Sequence, residues 1–147
     1  MTKLIPSVLG VSVMVMMATQ GVTGEINTTK GIAISGYDAV AYFTEEKPVK
    51  GSEAYSVTYK DADYLFSSAQ NRDAFSASPE TYLPQYGGYC AYGTAAGYKA
   101  PIDPSAFTLE GGKLYLNYSK SIQKTWRQDM SGYIRKADDN WPTVKAQ

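Results

Sequence analysis

One cysteine and no histidine stand beside thirteen tyrosines, four phenylalanines and two tryptophans. A lone cysteine cannot close an intrachain disulfide. A closed tetrahedral zinc or copper(I) centre needs several Cys or His donors, so the chain cannot staple itself with metal by that route either. A fold built from this sequence has to be held by packing, and the rings are its largest packing units. The missing imidazole also removes the Ser-His and Cys-His dyads and the commonest general base. Fourteen Lys+Arg against fourteen Asp+Glu leave no basic field for nucleic acid. At 147 residues the length suits a single domain.

Residues 1–24 read as a signal peptide. Lys3 is their one charge, and LIPSVLGVSVMVMMA (4–18) is an apolar run too short to span a bilayer comfortably. Val22 and Gly24 are small residues at −3 and −1 for a cut before Glu25; a cut before Gly21 is the alternative. No cysteine follows for lipid attachment, and no Arg-Arg pair marks the twin-arginine route. The expectation is an exported protein, periplasmic in a bacterium, with no membrane association once the segment is removed. Four of the five methionines leave with it, which excludes a methionine-rich copper carrier.

Residues 25–147 read as one α+β domain with two β-hairpins, each followed by short helices. Tyr55, Val57 and Tyr59 alternate with Ser56 and Thr58, and Asp61-Ala62-Asp63 separates them from a second apolar run at 64–67. Residues 68–77 have helical spacing, and Ser78-Pro79 is a cap followed by a first-turn proline. Asp103-Pro104 repeats that signal. Gly111-Gly112 is a two-residue hairpin turn between Phe107–Leu109 and Leu114–Leu116. Ser119 caps a helix with Ile122, Trp126 and Met130 on one face; Ser131-Gly132 interrupts it, and an apolar stripe continues to Trp141. The tail beyond Pro142 is expected to fray. Asp61/Asp63 and Asp138/Asp139 are paired carboxylates in a turn and at a helix end, and read as surface charge.

SGYDAVAYF (35–43), SVTYKDADYLFSS (56–68), NRDAF (71–75) and SPETYL (78–83) together resemble a YHS domain with its core at about 36–83. The pattern continues through LPQYGGYCAYG (83–93), GYKAPIDP (97–104), GGKLYLNY (111–118) and GYI (132–134) as an extension over 84–142. That longer pattern resembles a secreted YHS subgroup, some members of which are selenoproteins, with selenocysteine expected at the position of Cys90. Metal-handling relatives place thiolate or imidazole ligands at the positions of Ala41, Ser67 and Asn71, none of which is a soft donor here. The resemblance therefore implies the fold, with Tyr55, Tyr59, Tyr64, Phe66 and Phe75 available to fill the metal's volume.

The one chemically unusual residue is Cys90, set in QYGGYCAYGTAAGY (85–98), which holds four Gly and four Tyr. Glycines allow close backbone approach and tyrosines supply flat walls with a polar tip, so the loop suits something small. Tyr86, Tyr89, Tyr92 and Tyr98 are its candidate lining. Four readings of Cys90 stand open: a buried structural thiol; a redox thiol needing an external thiol partner; a ligand of copper or another transition-metal ion, helped by Asp38; and a disulfide to its twin in a homodimer. The preferred expectation is an exported binding or sensing protein, rather than an enzyme, whose Cys90 loop handles a transition metal or thiol redox chemistry, with a small ligand, metal or thiol as partner; a thiol-dependent oxidoreductase needing an external resolving partner and a purely structural or assembly module with inert Cys90 are the alternatives.

Overall fold

The structure, a computed structural model, describes Lys3 and residues 24–147. The segment expected to direct export lies outside the described residues except at Lys3 and Gly24. An N-terminal arm leads into β1 (Thr28–Thr29) and β2 (Ile32–Ala33), which pair antiparallel. The chain then turns into α1 (Ala39–Thr44), started by Asp38, whose carboxylate accepts from the Val40 and Ala41 amides. β3 (Ser52–Tyr59) and β4 (Ala62–Phe66) pair antiparallel across Lys60-Asp61, two residues both at positive φ. β2 runs parallel to β4 at Ile32–Asp63, which gives a four-stranded sheet in the order β1-β2-β4-β3. Two helices cross it: α2 (Ala69–Ala77), capped by the Ser68 hydroxyl, and α3 (Pro79–Tyr82), begun by its proline.

The second half starts with a 3-10 turn at Gln85–Gly88 and the short α4 (Ala91–Ala96). β5 (Phe107–Glu110) and β6 (Lys113–Leu116) form a separate two-stranded sheet, followed by α5 (Lys120–Arg127) and α6 (Met130–Lys145). No described helix is long and apolar enough to cross a membrane. The fold is a small α+β domain with mixed sheets.

Two cores hold it, and β6 joins them. The first gathers Val40 and Tyr42 of α1, Tyr64 and Phe66 of β4, and Phe75 of α2. Phe75 lies 5.0 Å from both the Tyr64 and Phe66 rings, and Tyr59 closes on its edge at 6.2 Å. The second gathers Tyr86, Ala91, Tyr115, Trp126 and Ala137. Side chains alternate across a strand, so Leu114 and Leu116 enter the first core while Tyr115 enters the second. Each fully buried leucine there contributes about 2 kcal/mol of apolar transfer.

Three local details differ from expectation. Asp103 starts no helix; its carboxylate accepts from the Ser105 amide and hydroxyl and closes a turn ahead of β5. The break between α5 and α6 falls at Gln128-Asp129, where Asp129 caps α6 by accepting from the Gly132 amide; Ser131-Gly132 lie inside that helix. A Cβ at 132 would collide with that carboxylate, so glycine is what lets the cap approach. The tail is helical through Pro142 to Lys145, with Val144 buried, because apolar contact at Val144 outweighs the single backbone bond a proline removes.

Candidate functional site

Cys90 is held from three sides. Its amide donates to the Ala100 carbonyl at 3.0 Å, and its own carbonyl accepts from the Thr94 amide and hydroxyl, both at 3.0 Å. It is the residue before α4, and its sulfur accepts from the Gly93 amide at 3.5 Å. The thiol points at the Asn117 Oδ1, also 3.5 Å away, and that oxygen accepts the Tyr92 amide at 3.2 Å. Turning the Asn117 amide over would set its NH2 against the Tyr92 N–H, so its orientation is fixed. Its Nδ2 is then buried without a partner among the described residues.

Cys90 itself is 1% exposed, yet it forms the floor of a pocket of about 210 Å³. The walls are Tyr92, Tyr98, Ala100, Tyr118 and Ile122. Tyr98 and Tyr118 are the exposed large hydrophobic residues of the described chain, and both stand at this pocket. Loss of hydration pushes the Cys90 thiol above its ordinary pKa, against a smaller opposing effect of the Gly93 amide. The group is therefore a neutral thiol at physiological pH, which suits contact with an apolar or aromatic surface better than nucleophilic attack.

Of the tyrosines expected around Cys90, Tyr92 and Tyr98 line its pocket and Tyr86 and Tyr89 do not. Tyr86, at positive φ, turns into the second core, and its hydroxyl donates to Asp138 at 2.8 Å. Burial and that carboxylate both push its pKa up. Tyr89 donates to the Gly24 carbonyl at 2.6 Å and holds the N-terminal arm. Asn117, Tyr118, Ala100 and Ile122 complete the site. The sequence signal for Asn117 was a polar residue directly after the apolar Leu-Tyr-Leu of β6; Ile122 was legible only as one position of a helix stripe.

Asp38 belongs to a different place. One carboxylate oxygen accepts from the Val40 and Ala41 amides at 2.9 and 3.0 Å. The other accepts from the Ser67 amide at 2.9 Å, the Ser67 hydroxyl at 2.8 Å and the Asn71 side-chain amide at 2.8 Å. Ala41, Ser67 and Asn71, which resembled ligand positions, thus surround one buried carboxylate, which ties α1 to the end of β4 and to α2. Both oxygens are committed to this cluster, so Asp38 does not join Cys90. Among the described residues no three His, Cys, Asp or Glu side chains converge. The donors at Cys90, one neutral thiol and one amide oxygen, do not fit a copper or other soft-metal centre.

Fold and site together define a small α+β domain with a thiol-floored aromatic pocket. A YHS domain is present at residues 40–86, where the profile of that family matches the chain. It covers α1, the β3-β4 pair, α2, α3 and the start of the glycine-tyrosine segment; Cys90 and every wall of its pocket lie beyond it. No curated protein and no solved structure matches the chain.

Proposed function

We propose that this is an exported small-molecule-binding module whose ligand enters the Cys90 pocket and packs between the tyrosine rings. The observation that carries the reading is that Cys90, Tyr92, Tyr98 and Tyr118 share one opening. The pocket's bulk is aromatic and aliphatic, so its ligand is compact, neutral and largely apolar, of one-ring size. A cavity of about 150 Å³ lined by apolar side chains takes benzene, which sets the scale. The neutral Cys90 thiol, itself directed at the buried Asn117 amide behind it, gives the floor its polarity. A YHS domain accords with small-molecule or metal interaction, and the donor chemistry here favours the first. A thiol oxidoreductase is disfavoured by the raised pKa and by the absence of a second cysteine. A disulfide between two copies is disfavoured by a sulfur that is 1% exposed.

Export rests on Lys3 and the apolar 4–18 run, and a periplasmic location on the likeness to the secreted subgroup.

Iodoacetamide labelling of the native protein, followed by intact mass, tests the site. Cys90 is expected to label, and Ile122→Trp, which fills the pocket, should slow it about tenfold while leaving labelling of the unfolded chain unchanged. Benzene or phenol should protect the wild type. Labelling that appears only with global unfolding, indifferent to both Ile122→Trp and phenol, would refute the reading.

A further inference from the structure

On another face, where the N-terminal arm, the β3-β4 turn, α3 and α6 meet, lies an open cleft of about 170 Å³. Its character is the opposite of the Cys90 pocket. Glu25 and Glu80 supply carboxylates, Lys60 an ammonium, Gln85 an amide, and Tyr59 and Trp141 half-buried ring surface. At its floor is Tyr64, 2% exposed, its ring packed in the first core against Phe75 and Tyr59. Tyr64 lines the cleft, and its hydroxyl makes no hydrogen bond to another described residue; the oxygen is open to water rather than sealed. Its neighbours are already engaged: Tyr59 donates to Glu80 at 2.5 Å, and Glu25 pairs with Lys60 at 3.5 Å and Lys145 at 3.1 Å.

A hydroxyl paired only with water is free to exchange that water for a group on a bound ligand. We infer that this cleft binds a neutral polyhydroxylated ring, of monosaccharide or cyclitol size, with the Tyr64 hydroxyl as its deepest contact. The lining mixes donors and acceptors within reach of one small ring, which is what adjacent hydroxyls require of a site. An anion would face two carboxylates. A cation would have to displace Lys60 and Lys145 from Glu25. Trp141 and Tyr59 offer flat apolar surface to the C–H faces of such a ring. This inference stands apart from the Cys90 pocket, shares no residue with it, and fails or holds independently of it.

The test is an NMR titration of the ¹⁵N-labelled protein with glucose, galactose, mannose and myo-inositol, and separately with putrescine. At least one neutral polyol should shift the Trp141 indole and Gln85 side-chain resonances saturably. Tyr64→Phe keeps the ring in the core and removes only the hydroxyl; it should weaken that binding about tenfold, the worth of one buried hydrogen bond. Gln85→Ala, at a half-buried position outside both cores, should weaken it by a comparable factor. Absence of saturable shifts from any polyol up to about 50 mM, at the weak end of specific binding, would overturn the inference. Unchanged affinity in Tyr64→Phe would do the same, as would saturation by putrescine alone, which would make the cleft a cation site.

Discussion

Asp38→Asn is the sharpest perturbation of the buried cluster that ties α1 to the end of β4 and to α2. The carboxylate is 0% exposed and accepts five hydrogen bonds, two on one oxygen and three on the other. Asparagine keeps the shape but turns one acceptor into a donor. If its oxygen stays on the Val40 and Ala41 amides, the α1 cap survives. Its NH2 then faces the Ser67 N–H, donor against donor, while the Ser67 hydroxyl and the Asn71 side-chain amide can turn to accept. Flipping the amide moves the same conflict onto the α1 cap. Either way at least one bond is lost outright and the others lose their charge assistance, so the expected cost is about 3–5 kcal/mol. In a domain of this size that lowers Tm by about 10–20 °C. Urea denaturation followed by far-UV circular dichroism measures it, with Asn71→Ala as the control that removes one charge-assisted contact and costs about 1.5–3 kcal/mol. A cost for Asp38→Asn no larger than that control would refute the view that the carboxylate clamps α1, β4 and α2 together.

Gly87→Ala should release the N-terminal arm, because φ is +63° there and a Cβ would collide with the Glu25 carbonyl; hydrogen exchange at Asn27, whose amide donates to Gly87 O at 2.8 Å, should speed up while the β3-β4 amides stay protected. Acid should loosen the same arm. Lys145 and Lys60 hold the Glu25 pKa below its ordinary value, so their pairing is complete above the normal carboxylate range and is lost as pH falls through the lowered folded value; the Asn27 protection factor should drop below about pH 4, and an acid-insensitive Asn27 would count against the pairing. Native labelling of Cys90 should keep rising with pH beyond the ordinary thiol pKa of about 8.5 rather than levelling off there, since burial pushes that pKa up; a plateau at or below neutral pH would mean an activated thiolate. Overnight dialysis against EDTA should leave Tm unchanged, because the Asp38 cluster, with an amide and a hydroxyl where soft ligands would stand, needs no ion to hold it.

The parts of the fold legible in the sequence are those written in short-range code. Tyr55, Val57 and Tyr59 are half-buried and Ser56 and Thr58 exposed, as alternation demands. Ser68 and Ser119 cap the helices that follow them through their own hydroxyls. What escaped was decided by distant contacts. The Asp103-Pro104 pair carries the same local signal as Ser78-Pro79, but the Asp103 amide donates to Asn117 O and its carboxylate closes on Ser105, so the chain is committed to the β5-β6 side and no helix begins. Pro142 marks a helix end by local rules, yet the helix continues because Val144 finds a buried place. The arm's docking, with Gly24, Glu25 and Asn27 fastened to Tyr89, Lys145 and Gly87, spans sixty or more positions of chain and leaves no local trace.

The site divides along the same line. Cys90 was conspicuous because the chain has no other thiol, and a glycine-tyrosine segment around it implied aromatic walls. Which tyrosines make the walls depends on backbone direction: Tyr86 sits at positive φ and turns away, while Tyr92, inside α4, faces Tyr118 and Ile122 across the pocket. Those two come from beyond β6, so two of the six lining residues are contributed by chain about thirty residues from the thiol. The YHS match ends before the first of the six, and the polar cluster of Asp38, Ser67 and Asn71 is spent on holding helices to a strand. On the proposed reading, the YHS part of this protein serves as the support and the extension packed on it carries the ligand pocket. That division predicts where damage shows: substitutions around Asp38 should lower stability throughout the domain, whereas Ile122→Trp should leave the fold standing and close only the pocket.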